Sequence, residues 1–183
     1  MPNKNISDFL TKFDGGARPN LFEVTFTGGP DPAIDGEKLS VHCKAASLPS
    51  SILGVINLNY RGRIIQLPGD RTFEDWTITV INDEAMSLKK AFVKWQASYN
   101  DHVTNQPVDN VQLYGSTGKI ASCTATVSQL SRTGTPTMTY ELGQVWCDNV
   151  SGTDVSYDTP DTVSEFTVTL KYHSYTITDT PAV

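Results

Sequence analysis

Two short apolar-rich runs, Val55–Tyr60 and Arg63–Leu67, flank the dipeptide Arg61-Gly62. A two-residue connection containing glycine between extended runs predicts a β-hairpin. Its apolar residues Val55, Ile56, Leu58, Tyr60, Ile64, Ile65 and Leu67 fall at odd and even positions alike, so parts of both faces are apolar. A two-stranded ribbon cannot bury both faces by itself. It must pack under other elements or against another chain, and any fold assigned to this sequence has to say where those faces go.

The rest of the chain supplies strands to which such a ribbon can attach. Asn20–Thr27 sets Phe22, Val24 and Phe26 on one side and Glu23 and Thr25 on the other, the period of a half-buried strand. Gly28-Gly29-Pro30-Asp31-Pro32 breaks that run. Lys38–Ser47 alternates again with Leu39, Val41, Cys43 and Ala45 inward, and Pro49 ends it. Thr72–Ile81 is the strongest strand, with Trp76, Ile78 and Val80 on one side. Three more are predicted over Lys119–Leu130, Thr137–Gln144 and Val163–Ile177, the last with Phe166, Val168, Leu170 and Tyr172 on one face. The 22 Thr residues, with the many Val and Ile, lean the same way.

One segment has helical rather than strand period. Leu88, Phe92, Trp95 and Tyr99 form an apolar stripe, with Lys89, Lys90 and Lys94 opposite and Asn82-Asp83-Glu84 as an acidic cap. Near the start, Ile6, Phe9, Leu10 and Phe13 have the spacing of one or two helical turns before Gly15-Gly16. Residues 100–118 read as a polar loop. About seven strands and one well-formed helix predict a mainly β fold, a β-sandwich or barrel with a flanking α-helix and the extended hairpin. At 183 residues the chain suits one domain. Its expected bounds are 18–178, with an N-terminal arm over 1–17 and a C-terminal tail over 179–183.

Charge and cysteine narrow the function. Fourteen Lys and Arg against 20 Asp and Glu leave a net charge of −6, which disfavours a general nucleic-acid binder needing a basic face. The excess is local. From Tyr140 onward only Lys171 opposes Glu141, Asp148, Asp154, Asp158, Asp161, Glu165 and Asp179. Cys43, Cys123 and Cys147 are odd in number and widely spaced, so buried thiols in a reducing compartment are expected rather than disulfides or structural zinc. No apolar segment near Met1 reads as an export signal, and no apolar run is long enough to predict a membrane span.

Motifs for catalysis or cofactors are incomplete. Asp31, Asp35 and Gly36 fit a calcium loop, but Ala33 and His42 stand where two ligands are needed. Gly118-Lys119 lacks the rest of a phosphate-binding loop. His42, His102 and His173 share no ligand spacing, and no nucleophile elbow occurs. The expectation is a protein that is not an enzyme, with no catalytic residues, metal or cofactor. The run Gly69–Trp76 stands out instead. Arg71 could fork onto Asp70 or Asp75 within a local turn, or make an ion pair to another subunit.

These same residues resemble the tail tube protein of contractile-tailed, myovirus-type bacteriophages. The likeness is carried by the run from Ala17 to Val24, by Cys43–Pro49, and by the block from Gly69 to Glu84 that leads into the helix with Trp95-Gln96. Trp146 and Phe166–Leu170 follow in order, so it spans roughly residues 17 to 172. The family commonly has Pro after the Trp matched by Trp146, where this chain has Cys147.

The resemblance implies hexameric rings that stack into the hollow inner tube of a contractile tail, through which DNA leaves the capsid. It further implies tail sheath, baseplate and tail terminator proteins as partners, a tape measure protein in the lumen, assembly in the host cytoplasm, and no membrane. By analogy Arg18, Val55, Ile56, Leu58, Tyr60, Arg61, Arg63, Ile65, Leu67, Asp70, Arg71 and Asp75 would contact other subunits, while Trp76 and Trp95 anchor the helix on the sheet. Glu141, Asp154, Asp158, Asp161 and Glu165 are candidates for a lumen that repels phosphate. The alternatives are a tube-initiating baseplate paralogue, the tube subunit of a phage-derived contractile injection system and, in another class, a small β-sandwich binding module.

Overall fold

Inward-facing aromatics hold two antiparallel sheets and a helix together. A computed structural model describes residues 5–13, 16–29, 31, 34, 37–106, 123–158 and 160–179. The elements follow in the order α1 (Ile6–Phe13), β1 (Phe22–Thr27), α2 (Glu37–His42), β2 (Cys43–Ala46), β3 (Ser51–Tyr60), β4 (Arg63–Phe73) and β5 (Trp76–Ile81). Then come α3 (Ser87–Tyr99), β6 (Thr124–Leu130), β7 (Pro136–Gly143), β8 (Trp146–Val150), β9 (Glu165–Lys171) and β10 (Ser174–Asp179). One four-stranded sheet, the first sheet, runs β1-β6-β7-β10, and the second runs β2-β5-β9-β8. β3 and β4 form a separate two-stranded ribbon.

Register sets the core. In the second sheet Trp76, Ile78 and Val80 lie opposite Leu170, Val168 and Phe166, and all six are buried. In the first sheet Val24 and Phe26 pair with Val127 and Ala125, again all buried. The two layers meet at Phe26, whose ring lies 5.9 Å from Trp76 and 6.4 Å from both Phe92 and Trp95 of α3. Leu88, Ala91, Phe92 and Trp95 are the buried stripe of that helix, as its period predicts. Trp76 also donates its indole N–H to the Ser47 carbonyl at 2.6 Å, so the largest core side chain buries no unpaired donor.

Several boundaries differ from the sequence reading. Lys38–Ser47 is not one strand: α2 occupies Glu37–His42, and only Cys43–Ala46 is extended. Leu39 and Cys43, four apart, point into the core while Val41 is 73% exposed, the helical rather than the alternating pattern. Thr72–Ile81 divides at Glu74-Asp75, so that β4 ends in the ribbon and β5 begins in the second sheet. Val163–Ile177 divides likewise at Tyr172-His173, β9 staying in the second sheet and β10 crossing to the first. β8, five residues with a bulge between Cys147 and Asn149, is too short and irregular to carry an alternating signal. The first part of the predicted strand from Lys119, most of the loop 100–118 and the tail beyond Asp179 lie outside the described residues.

The expected acidic cap is displaced. Met86, in left-handed geometry and with no side-chain capping bond, holds the N-cap position of α3, and no acid falls in the first turn. Asp83 braces the helix start from three residues before Met86. Asp83 accepts the Ser87 N–H at 2.8 Å and the Ser87 hydroxyl at 2.8 Å, and it pairs with Lys38 of α2 at 2.9 Å. The Lys38 hydrogen bond, then the Ser87 donors, hold its carboxyl well below the usual carboxylate range. A depressed native pKa stabilises the fold above the unfolded-state value of about 3.9 and is lost as pH falls through the native one. Asp83→Asn should therefore lower the denaturation midpoint at pH 7, and the gap to wild type should narrow as the pH drops below about 4; urea titrations across pH check both.

Candidate assembly surface

The ribbon β3–β4 turns at Arg61 and Gly62, whose φ values of 46° and 80° are both left-handed, the geometry of a tight two-residue hairpin turn. The 10 residues of β3 carry it about 33 Å at ~3.3 Å per residue. Register sorts its two faces. Ile56/Leu67 and Leu58/Ile65 are adjacent pairs on one face, continued at the tip by Tyr60/Arg63. The other face alternates apolar and amide groups through Val55/Pro68, Asn57/Gln66 and Asn59/Ile64. Every one of these apolar side chains from Val55 to Leu67 is at least 44% exposed in the single chain.

The root of the ribbon is fastened rather than free. Phe73 lies 5.6 Å from the rings of both Tyr172 and Tyr175, and Tyr175 lies 5.7 Å from Tyr140. Tyr172 donates its hydroxyl to the Ser50 carbonyl at 3.0 Å, and Ser51 Oγ meets Tyr175 Oη at 3.1 Å. Just above the root, Gly54 faces Gly69 and Asp70 in a bulge. A Cβ on Gly54 would stand 3.2 Å from the Asp70 carbonyl oxygen, and one on Gly69 would stand 3.2 Å from the Gly54 backbone, so a side chain at either position would require the facing strand to give by a few tenths of an ångström.

The charged candidates fall in different places. Arg71 does not reach Asp70 or Asp75; its guanidinium donates to Ser51 Oγ at 2.9 Å. Asp75 instead faces Lys171 at 3.6 Å, which also sits 3.8 Å from Asp148. The local-turn pairing expected for Arg71 is thus absent, and Arg61, Arg63, Asp70 and Arg71 are all exposed along the ribbon. Arg61 lies over the Tyr60 ring at 5.5 Å. Arg18 is exposed, and its carbonyl accepts the Gln129 amide at 2.7 Å.

The five acidic candidates do not share one face. Glu141 lies on the outer face of the first sheet, in the row Thr25, Thr126, Glu141, Thr176. The neighbouring row is Glu23, Ser128, Thr139, Thr178. This outer face is therefore a lattice of hydroxyls with two carboxylates and, among the described residues, no cation within ion-pair distance of either. The sequence hint was the density of Thr, which composition alone could not assign to a face. Glu165 begins β9 and pairs with Lys44 at 2.5 Å. Asp154, Asp158 and Asp161 lie between β8 and β9, all exposed.

Conventional chemistry finds little support. Burial pushes the Cys43 thiol up to about 11 and the Cys147 thiol up to about 12, so neither is poised as a nucleophile. No group of three or more His, Cys, Asp or Glu side chains suited to a metal occurs among the described residues. Asp31 of the broken calcium loop lies 3.7 Å from Lys94, while Asp35, Gly36 and the Gly118-Lys119 pair are outside the described residues.

The fold has counterparts in proteins from solved contractile assemblies. The chain aligns with a protein of the PVC extracellular contractile injection system sheath–tube complex at TM-score 0.64 and 11% identity, covering 97% of this chain and 100% of that one. It aligns with one from the anti-feeding prophage baseplate at TM-score 0.62 and 15% identity, covering 91% and 98%. Sequence narrows the class to a family. Residues 16–178 match the phage tail tube protein family, and the tail tube protein gp19 of Enterobacteria phage T4 is 34% identical over 90% of this chain and 95% of its own length. A tail tube protein of Serratia phage KSP90 is 27% identical over 89% of each chain. This chain belongs to the phage tail tube protein family; it is a structural protein of the tail and not an enzyme.

The ribbon should therefore depend on its aromatic root. Phe73→Ala should cost about 2 kcal/mol, below the ~3–5 of a fully buried Phe, because this ring is only partly buried. Amide exchange of β3 and β4 should accelerate together; unchanged protection with unchanged stability would show that the root is held elsewhere.

Proposed function

We propose that copies of this chain close into six-membered rings, that the rings stack through the β3–β4 ribbon into the inner tube of a contractile tail, and that DNA passes along its lumen. The observation that carries this reading is the ribbon itself, fastened at its root and apolar along its length. Burying seven half-exposed apolar side chains at roughly 1 kcal/mol each would yield on the order of 5–10 kcal/mol per copy before the entropy of association. Rings also remove open sheet edges, here β1, β10, β2 and β8. The anti-feeding prophage neighbour comes from a baseplate of six-fold symmetry, which supports the ring size.

The tail tube domain is assigned to residues 18–178, with α1 in the arm 1–17 and the tail at 179–183. Tail sheath, baseplate and terminator proteins are the proposed partners, since the structural neighbours belong to assemblies that include a sheath, a baseplate and a terminating cap. A tape measure protein in the lumen and assembly in the host cytoplasm complete the proposal. For the lumen wall we assign the outer face of the first sheet. Its hydroxyls and the carboxylates of Glu23 and Glu141 give phosphate no cation to bind, whereas Lys44 and Lys171 mark the second sheet. The 34% identity to a phage tail tube protein favours a tube of a virion over that of an injection system.

Replacing residues 56–67 by Asn-Gly closes a shorter hairpin between Val55 and Pro68, which are paired in the structure. The variant should stay folded and soluble by circular dichroism yet form no tubes under negative stain; tubes of ordinary length would overturn the proposed stacking. Glu23→Lys with Glu141→Lys should leave assembly intact while slowing DNA ejection from virions carrying it, and an unchanged ejection rate would count against this face as the lumen wall.

A further inference from the structure

The ribbon leaves the second sheet at one end, and an exposed acidic and apolar segment leaves it at the other. β5 and β9 pair antiparallel, Trp76 with Leu170 at one end and Ile81 with Glu165 at the other. The ribbon root at Phe73 adjoins the Trp76 end. The segment between β8 and β9 enters at the Glu165 end, tied there by the Asn82 N–H to the Ser164 carbonyl at 2.9 Å and the Ser151 N–H to the Thr167 carbonyl at 2.8 Å. The six residues of β5 separate these ends by about 20 Å.

That segment is the ribbon's complement in both chemistry and charge. It exposes Val155 at 87%, Tyr157 at 105% and Val163 at 73%, an unusual amount of apolar surface for a polar connection. An open cavity of ≈500 Å³ on this segment sets Val155 and Val163 among polar groups that include Thr153, Asp154 and Glu165. Asp154, Asp158 and Asp161 have no cation within ion-pair distance among the described residues, while Glu165 is matched by Lys44 and the Lys89 ammonium donates to Thr153 Oγ1. The ribbon tip presents Tyr60 with Arg61 and Arg63, and the ribbon's single carboxylate, Asp70, is at its root.

We propose that the segment connecting β8 and β9, with its exposed apolar side chains and carboxylates, seats the ribbon tip of a second copy of this chain, Arg61 and Arg63 meeting Asp154, Asp158 and Asp161. This rests on the reading of the ribbon as the contact between stacked copies and names its receptor. Because the ribbon's root and its receptor lie at opposite ends of one sheet, the contact is heterologous, and with a rotation that does not close into a ring it repeats along a stack. It also gives the acidic segment a task distinct from lining a lumen, and complementary charge fixes the docking partner and speeds encounter.

Charge exchange tests it. Arg61→Glu with Arg63→Glu should abolish pelletable tubes, Asp154→Arg with Asp158→Arg and Asp161→Arg should do the same, and combining all five should restore tubes. As a second measurement, oxidation of an Arg61→Cys, Asp158→Cys double variant should give a ladder of disulfide-linked oligomers that neither single variant gives. If the ribbon reversal abolishes tubes while the acidic reversal leaves them normal and no ladder forms, the segment is not the seat, although the ribbon still stacks copies. If the ribbon reversal also leaves tubes normal, the stacking role fails with it.

Discussion

An apolar ribbon that its own chain cannot cover is the constraint around which this molecule is arranged. Ile56, Leu58, Ile65 and Leu67 would be a liability on a protein that acts alone, since such edges and patches invite uncontrolled pairing. Here the ribbon is fixed before it meets a partner. Phe73, Tyr172 and Tyr175 hold its root, and the Gly54–Gly69 approach sets the bulge above that root. Fixing the ribbon beforehand reduces the ordering cost of association, so more of the apolar burial appears as affinity.

The sandwich beneath serves that arrangement. Phe26, Trp76, Phe92 and Trp95 join two sheets and a helix through one aromatic cluster. A rigid body of this kind holds the two ends of the second sheet at a set separation, which a repeating head-to-tail contact requires. The outer faces differ in charge: hydroxyls with carboxylates that meet no cation among the described residues on the first sheet, Lys–carboxylate pairs on the second. The net charge of −6, which at first counts only against nucleic-acid binding, is thereby spread over surfaces of different character.

Legibility in the sequence followed how local each determinant is. The hairpin turn at Arg61-Gly62, the helix stripe of Leu88, Phe92 and Trp95, and the buried alternation of Trp76, Ile78 and Val80 depend on near neighbours, and each formed where its pattern placed it. Leu39 and Val41 fit a strand as well as a helix in sequence, because a six-residue helix and a short strand share their apolar positions until burial distinguishes them. The breaks at Glu74-Asp75 and Tyr172-His173 escaped detection because a strand leaving one sheet for another keeps its period. The site was legible as a surface but not as a geometry. That both faces of the ribbon need a cover follows from its composition, whereas their exposure in the single chain, the Ser51 partner of Arg71 and the scatter of the acidic residues depend on contacts distant in sequence.

Everything proposed for assembly turns on where the ribbon goes when copies meet. A reconstruction by electron cryomicroscopy of the polymer formed by the full chain would locate it directly. The Ile56–Leu67 face should be buried against the subunit of the next ring, with its tip at the segment between β8 and β9. A tube in which that face stays in solvent would contradict that placement.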